Sequence, residues 1–253
     1  MVTKSSRRTH SVPEPAPPLA SRPLYLQARD RLVREIVDGV WKPGDYLPSE
    51  AQLAVTFGVS IGTIRRATEE LAAQGLLERQ HGRGTQVVPH SSDRSRFRFL
   101  RFVHPDGRSF RPVAHLIQQS VQPATREDLE HLDLPKNAEV LVLLRTRSED
   151  GVPLIYERIA LPAERFSKLH FEAGQDMLEE IYVLYQKHSG ETVVRAEDDI
   201  RADAATRAIA TALGCEVGTP LLMVRRVAFS LTGDRVEHRK SWTATLRYRS
   251  LLD

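Results

Sequence analysis

The stretch LPSEAQLAVTFGVSIGTIRRATEELAAQGLLERQHGRGTQVV, residues 47–88, decides how the N-terminal third of this chain folds. Ser49 followed by Gln52 has the spacing of a capping box, which begins a short helix. Gly58 can take the left-handed conformation that ends this helix, and Ser60 can cap the next one. The stretch therefore predicts two helices joined by a tight turn.

The neighbouring sequence completes this unit. Upstream, apolar residues recur at a helical period from Leu24 to Val40, with the breaker WKPGD behind them, which predicts a first helix. Downstream of Gly75, the segments LLERQ and TQVV are joined by the glycine-studded turn HGRG, which predicts a β-hairpin. The order helix, helix, turn, helix and hairpin is the layout of a winged helix-turn-helix domain, which we place at residues 21–88.

Such a domain suggests a partner for its last helix and its hairpin. The N-terminal turn of that helix can enter a DNA major groove, while the hairpin, or wing, reaches along the backbone or into the minor groove. Arginine reads guanine through two hydrogen bonds, and small hydroxyl groups bond to phosphates. A helix with two arginines is also common as a plain solvated surface, but here the whole layout favours DNA. The candidate contacts on the helix are Ser60, Gly62, Thr63, Arg65 and Arg66. Arg83 at the wing tip is a further candidate, for a phosphate or a narrow minor groove.

Composition limits the class of protein. The chain has 253 residues, 41% of them hydrophobic, which is enough for two domains. No run of about eighteen apolar residues occurs and the N-terminus lacks an apolar signal core, so we expect no membrane association. The single cysteine, Cys215, cannot form an intrachain disulfide, and no zinc-type spacing is present among the histidines. We expect a cytoplasmic protein without metal or cofactor.

The charge distribution adds a weaker indication. Residues 1–90 hold 12 Lys and Arg against 9 Asp and Glu, which accounts for the net charge of +3 of the whole chain. A modest basic excess suits a polyanionic partner such as DNA, but it is also common on ordinary protein surfaces. Charge alone therefore does not decide the partner.

The rest of the chain is predicted to be a second domain at residues 97–253, after a polar, turn-rich linker at 89–96. Residues 1–20, with four prolines among Ser, Thr and Arg, are predicted to be a flexible tail. In the second domain, period-two runs rich in β-branched residues alternate with helical stretches, which predicts an α+β fold around a largely antiparallel sheet. We expect strands at 139–148, 152–161, 220–230 and 235–250, and helices at 125–134, 176–190 and 203–214.

Charged residues on two of these strands suggest a ligand site. Strand alternation places Arg145 and Arg147 on one face, beside Leu141 and Leu143, as in an anion clamp at the end of a core. Glu157 shares its own strand face with apolar residues, where an unpaired carboxylate is costly. An internal Arg–Glu pair that only links the strands is the alternative. Tyr182 and Tyr185, on a predicted amphipathic helix, are expected to be packing residues.

The N-terminal segment 23–88 resembles the DNA-binding domain of GntR-family bacterial transcription regulators. The resemblance implies that Ser60, Thr63 and Arg65, with His81 and Gly82 of the wing, contact DNA. Two departures stand out, because Ala51 and Ile61 occupy positions where the family often has DNA-contacting arginines. We therefore expect an operator that departs from the family's usual sequence, or binding that depends more on phosphates.

The second domain resembles the ligand-sensing UTRA domain of the HutC-like branch of that family. The likeness rests on LVLLRTRSEDGVPLIYERIALPAERF (141–166), on residues 193–238 and on the terminal RY. It implies a chorismate-lyase type of α+β sheet. Thr243 stands where the family often has a tyrosine, and GRSFRPVAH runs toward a strand, so an effector unlike the family's sugar phosphates and urocanate-like acids stays open. The effector-binding residues implied are Arg145, Arg147, Glu157 and Glu237.

The sequence thus predicts a DNA-binding transcriptional repressor, acting as a homodimer, whose affinity for a double-stranded operator is set by a small anionic effector. One alternative is a constitutive dimeric DNA-binding protein, which an internal Arg145–Glu157 pair would favour. An enzyme of lyase-like fold is another, but no catalytic or nucleotide-binding motif occurs, and Cys215 reads as a packing residue. An all-helical sensor domain conflicts with the period-two runs.

Overall fold

The computed structural model describes residues 22–88, 99–109 and 112–249 of the chain. The predicted tail at 1–20 and the predicted linker at 89–96 lie outside these residues, as do Phe110 and Arg111 of the GRSFRPVAH stretch. No described helix is long and apolar enough to cross a membrane.

The N-terminal domain has the predicted winged helix-turn-helix layout. Gln52 donates its backbone N–H to the side chain of Ser49 and accepts from the Ser49 backbone in return, so the capping box is present. Gly58 ends that helix at φ 67°, and Ser60 caps the next. The elements are α1 (Leu24–Val37), α2 (Glu50–Phe57), α3 (Ile61–Ala73), β1 (Leu77–Gln80) and β2 (Gly84–Val87).

The second domain is built on a seven-stranded sheet in the order β7-β4-β5-β6-β10-β9-β8, in which every described pair of neighbours is antiparallel. This confirms the predicted α+β class. The strands are β3 (Phe102–Val103), β4 (Val113–Pro123), β5 (Glu139–Glu149), β6 (Val152–Pro162), β7 (Asp176–Met177), β8 (Val193–Ala204), β9 (Pro220–Ser230), β10 (Arg235–Thr243) and β11 (Arg247–Tyr248). The helices are α4 (Arg126–Leu132), α5 (Ile181–Ser189) and α6 (Arg207–Leu213).

Two local predictions differ from the structure, and two long strands, β4 and β8, were not predicted. The helix expected from residue 176 begins only at Ile181, because Asp176–Met177 pairs with β4 at the sheet edge. The strand expected at 235–250 stops at Thr243, and its last residues form β11, which pairs with β3. Strand β8 was not predicted because its alternating charges obscure the apolar period, and such charges are typical of an edge strand.

The two faces of the sheet have different covers. On one face, the apolar side chains of β5 and β6 pack against Tyr182 and Tyr185 of α5, and we call this the α5 face. On the other face, Leu132 of α4 and Ile209 of α6 pack against alternate residues of the strands. Since successive strand residues point to opposite faces, the α5 face receives Arg145 and Arg147 together, as predicted.

Two residues of the second domain pack with the core of the first. Val193 packs in the core under the α5 face, whereas its neighbour Val194, 8% exposed, packs with the core of the winged helix-turn-helix domain. Leu231 packs partly against the same core. Adjacent positions of β8 thus contact two different cores.

Candidate functional site

The N-terminus of α3 presents small polar residues. The Ser60 Oγ accepts a hydrogen bond from the Thr63 backbone N–H at 3.1 Å and lies 2.8 Å from the Thr63 Oγ1. Ser60 and Gly62 are exposed, and Thr63 is half-buried. The two hydroxyl groups therefore hold the first turn of α3 in shape at the position where a winged helix-turn-helix meets the major groove.

Arg65 belongs to an exposed ion-pair network around Glu50 of α2. The Arg65 Nε donates to Glu50 Oε2 at 2.9 Å, and the Arg79 Nη2 from β1 donates to Glu50 Oε1 at 2.5 Å. The side chain of Arg65 is 56% exposed. A pair in that setting contributes at most about 1 kcal/mol, so a DNA phosphate or a base edge could replace Glu50 as the partner of Arg65 at little cost.

Arg66 is held differently. Its guanidinium lies 3.8 Å from the centre of the Tyr25 ring of α1, in a cation–π contact. The structure thus directs this arginine toward α1, whereas Arg65 contacts α2. Arg66 remains a candidate DNA contact. Its position beside α1 suits a phosphate as its partner.

The wing tip is exposed at His81, Gly82 and Arg83. Gly82 has φ 73° and Gly84 has φ 110°, conformations that side chains disfavour, so the two glycines permit the tight turn that presents Arg83. All eight candidate DNA contacts therefore lie on α3 or its cap or on the wing, and seven of them are exposed.

The two positions that depart from the family resemblance lie in the same part of the domain. Ala51 is exposed on α2, and Ile61, 46% exposed, is the first residue of α3. An exposed isoleucine at this place can meet a thymine methyl group.

In the second domain, Arg145 and Glu157 form a buried pair. They face each other across β5 and β6, and the Arg145 Nε donates to Glu157 Oε2 at 2.6 Å. Both side chains are at most 3% exposed. Burial alone would raise the pKa of Glu157, but the attraction of Arg145, Arg239 and Arg147 holds this pKa well below its usual range. The internal pair that sequence analysis weighed as an alternative is present.

Arg147 takes a different carboxylate. Its Nη2 donates to both oxygens of Glu180, at 3.0 and 2.9 Å. Glu180 stands at the start of α5, so this pair ties the helix to the sheet. No signal in the sequence marks Glu180 as a site residue. It lies between a short strand and a helix, where no periodic pattern shows which way a side chain points.

Glu237 of β10 also ties α5 to the sheet. It accepts hydrogen bonds from the hydroxyl groups of Tyr182, at 2.9 Å, and Tyr185, at 2.7 Å, and the Arg239 Nη2 donates to it at 2.6 Å. Both tyrosines are buried packing residues, as expected, and their hydroxyl groups are also part of the polar site. Burial and the charge of Glu237 raise the pKa of Tyr182, which keeps its hydroxyl group a donor.

Two further arginines complete the site. Arg226 of β9 donates through Nε and Nη2 to the two oxygens of Asp198 on β8, both at 2.6 Å. Arg239 shares a strand face with Glu237 two residues away, a signal that strand alternation could have revealed. We call the whole set the charge cluster: Arg145, Arg147, Arg226 and Arg239 with Glu157, Glu180, Asp198 and Glu237.

The charge cluster has equal numbers of positive and negative groups but not a full set of hydrogen bonds. Among the described residues, the Nη2 of Arg145 and the Nε atoms of Arg147 and Arg239 are buried without a hydrogen-bond partner. Buried donors are ordinarily satisfied, so orphaned donors call for an explanation. A cavity of about 30 Å³ lies against the cluster, which is room for one or two water molecules. Its polar lining residues are Arg147, Glu157, Glu180, Tyr182, Arg226, Arg239 and Ser241.

Among the described residues, no group of three or more His, Cys, Asp or Glu is placed so that it could hold a metal ion. Cys215 is a half-buried free thiol that packs beside α6 with apolar neighbours.

Comparisons with known proteins match both domains. The sequence pattern described as bacterial regulatory proteins, gntR family, matches residues 24–87, and that of the UTRA domain matches residues 107–249. The HTH-type transcriptional repressor NagR of Bacillus subtilis (strain 168) is 29% identical over 223 residues, 87% of this chain and 89% of that protein. The probable fructoselysine utilization operon transcriptional repressor of Escherichia coli (strain K12) is 30% identical over 209 residues, 81% of this chain and 84% of that protein.

A solved structure also resembles the chain over both domains. PhnF from Mycobacterium smegmatis is 24% identical and superposes with a TM-score of 0.51, covering 89% of this chain and 99% of that one. This likeness supports the two-domain fold.

Proposed function

Because this chain belongs to the gntR family of bacterial regulatory proteins and carries a UTRA domain, we propose that it is a transcriptional repressor that binds its operator as a homodimer under the control of a small anionic effector. The family and the similar repressors are DNA-binding regulators, so the chain is a transcription regulator and not an enzyme. The mode of DNA contact, the dimer and the anionic effector are the proposed parts.

The DNA contact is proposed at α3 and the wing. The first turn of α3 carries exposed hydroxyl and glycine positions, and Arg65 is held by an exposed ion pair that phosphate can replace. The wing tip adds His81 and Arg83, free of bulky neighbours at Gly82. A dimer is proposed because a helix-turn-helix module usually reads two half-sites about one helical turn apart.

The observation that carries the effector proposal is the set of orphaned arginine donors in the charge cluster. Three guanidinium nitrogens of the charge cluster are buried without an acceptor among the described residues, and two of them belong to Arg147 and Arg239, which line the cavity. A ligand with negatively charged oxygens supplies the acceptors that these donors lack, and charge-assisted bonds are the stronger kind. The anionic character of the effector is inferred from these donors alone, because the formal charges of the cluster already balance.

The constitutive alternative has one observation in its favour, the buried Arg145–Glu157 pair. That pair by itself needs no ligand. It leaves the Nη2 of Arg145 without a partner, however, and it does not involve the orphaned Nε of Arg147. Water in the cavity of about 30 Å³ can also accept hydrogen bonds from these donors, so the constitutive reading and the effector reading are separated by the response to a ligand.

The coupling between the domains is proposed to run through α5 and β8. Ligand binding at Arg147 would shift α5, whose buried tyrosines share a core with Val193. The next residue, Val194, packs against the DNA-binding domain. A coupling free energy of about 1–3 kcal/mol would change operator affinity roughly five- to hundredfold.

The proposal is tested in two stages with the full-length protein. First, an operator is selected from random duplexes, and its affinity is measured by fluorescence anisotropy for the wild type and for Arg65→Ala. Second, phosphorylated and carboxylated metabolites are screened for a change in operator affinity of at least about fivefold. Specific binding without any responsive compound, and without any compound that raises the melting temperature, would favour the constitutive alternative.

A further inference from the structure

We propose that Glu180 takes the place of the effector's anionic group on Arg147, and that the effector must displace this carboxylate to bind. The inference rests on the proposed function, because it concerns how the same site accepts its ligand. The Glu180 carboxylate meets a single nitrogen of Arg147, the Nη2 atom. The Nε of Arg147 is buried without a partner among the described residues.

Two other arginines of the second domain are each held through two nitrogens on one carboxylate. Arg226 uses Nε and Nη2 on the two oxygens of Asp198, and Arg158 uses Nη1 and Nη2 on Asp128, at 2.8 and 2.7 Å. Two parallel bonds are the stronger arrangement for a guanidinium and a carboxylate. Arg147, which meets Glu180 through one nitrogen only, can therefore gain a second acceptor.

The pKa of Arg147 also differs from that of Arg226. Burial lowers its pKa, and the attraction of Glu180 and Glu157 does not offset burial together with the repulsion of Arg145 and Arg239. Burial acts on Arg226 too, but the hydrogen bonds and charge of Asp198 raise the pKa of Arg226 above its ordinary value. Arg147 is thus an undercompensated cation, beside which an additional negative group is stabilised.

Glu180 differs from the other carboxylates of the charge cluster in its place on the backbone. The other three carboxylates of the charge cluster stand on strands β6, β8 and β10 of the sheet. Glu180 instead follows the two-residue strand β7, and nearby Leu178 is 84% exposed. It caps α5 without a side-chain hydrogen bond to the helix. An anion at this point would meet both Arg147 and the positive end of the helix dipole.

Displacement of Glu180 predicts a gain of anion binding when its charge is removed. Inorganic phosphate is the probe, titrated into full-length wild type and Glu180→Gln in an isothermal calorimeter. We expect phosphate to bind Glu180→Gln at least about tenfold more tightly, because the competing carboxylate is gone. The matched control is Glu179→Gln, an adjacent exposed carboxylate paired with Lys187, which should bind phosphate as the wild type does.

Other outcomes decide against the inference or against the proposed function separately. Equal or weaker phosphate binding by folded Glu180→Gln would overturn the inference. If that variant does not fold, Glu180→Asp, with a shorter reach to Arg147, decides in its place, since unchanged phosphate affinity would overturn the inference equally. The gain should also vanish in Glu180→Gln with Arg147→Gln. Tighter phosphate binding without any effect of anions on operator affinity would keep the displacement and contradict the proposed function.

Discussion

The candidate sites of the two domains hold their arginines in opposite ways. The side chain of Arg65 is 56% exposed and shares Glu50 with Arg79, whereas that of Arg145 is 1% exposed and paired with Glu157 inside the sheet. An exposed pair contributes at most about 1 kcal/mol and can exchange its partner for phosphate. Removing one member of a buried pair costs about 3–5 kcal/mol, because the other charge stays buried. Exposure thus leaves Arg65 able to change partners, whereas burial fixes the partner of Arg145.

The largest expected effect breaks the buried side of this comparison. Glu157→Gln removes the charge that compensates Arg145 and also contacts Arg239 and Ser241, so we expect the free energy of unfolding of the second domain to fall by about 3–5 kcal/mol. Urea unfolding is followed by the fluorescence of Trp242 in a Trp41→Phe background, which leaves one tryptophan in the chain.

The matched control for that measurement is Glu197→Gln, since this glutamate forms an exposed pair with Arg195. It should change the free energy of unfolding by less than about 1 kcal/mol. Equal effects of the two variants would contradict the view that burial makes the charge cluster costly to break.

Acid should weaken the second domain by protonating its buried carboxylates. Charge attraction and hydrogen bonding hold the pKa values of Glu157 and Asp128 well below their usual 4.5 and 3.8, although burial acts the other way. A lowered pKa contributes stability that is present above the unfolded value and is lost as the pH falls. We therefore expect the urea midpoint reported by Trp242 to decrease from about pH 4.5 downward. The decrease should be shallower in Glu157→Gln, and a midpoint that is constant down to pH 3 would argue against the prediction.

On the exposed side, Arg65→Ala should weaken operator binding by about 1–3 kcal/mol if Arg65 reads a base, with less than about 1 kcal/mol lost in stability. Fluorescence anisotropy gives the operator Kd, and thermal unfolding gives the stability. Arg195→Ala, an exposed arginine of the second domain, is the control and should bind as the wild type does. A large loss of stability with unchanged Kd would reverse the assignment.

The smallest effect is expected at the wing tip. Arg83→Ala should reduce affinity about equally for specific and random duplexes, because its proposed partner is a phosphate. The slope of log Kd against log salt concentration should fall by about 0.9, the value for one phosphate contact. An unchanged slope would mean that the wing tip does not contact the backbone.

The sequence predicted well where local rules decide the structure. The capping box at Ser49 and Gln52 and the left-handed turn at Gly58 depend on neighbouring residues only. The common face of Arg145 and Arg147 follows from strand alternation, which only an irregularity such as a β-bulge between them would change.

Features set by long-range packing escaped prediction. The contact of Arg66 with Tyr25 exists because α1 packs on α3, and the pairing of Arg226 with Asp198 depends on the register of β8, which includes an irregularity near Val193. Glu180 reaches Arg147 from outside any regular element. The sequence therefore named four members of the charge cluster, Arg145, Arg147, Glu157 and Glu237, and missed the other four.

In the proposed mechanism, the charge cluster controls operator binding by the winged helix-turn-helix domain. The most direct measurement is the operator Kd of wild type, Arg147→Gln and Arg195→Ala, with and without the anionic compound found in the screen. We expect the compound to change the operator Kd at least about fivefold in the wild type and in Arg195→Ala, and not to change it in folded Arg147→Gln. The same response in Arg147→Gln as in the wild type would contradict it.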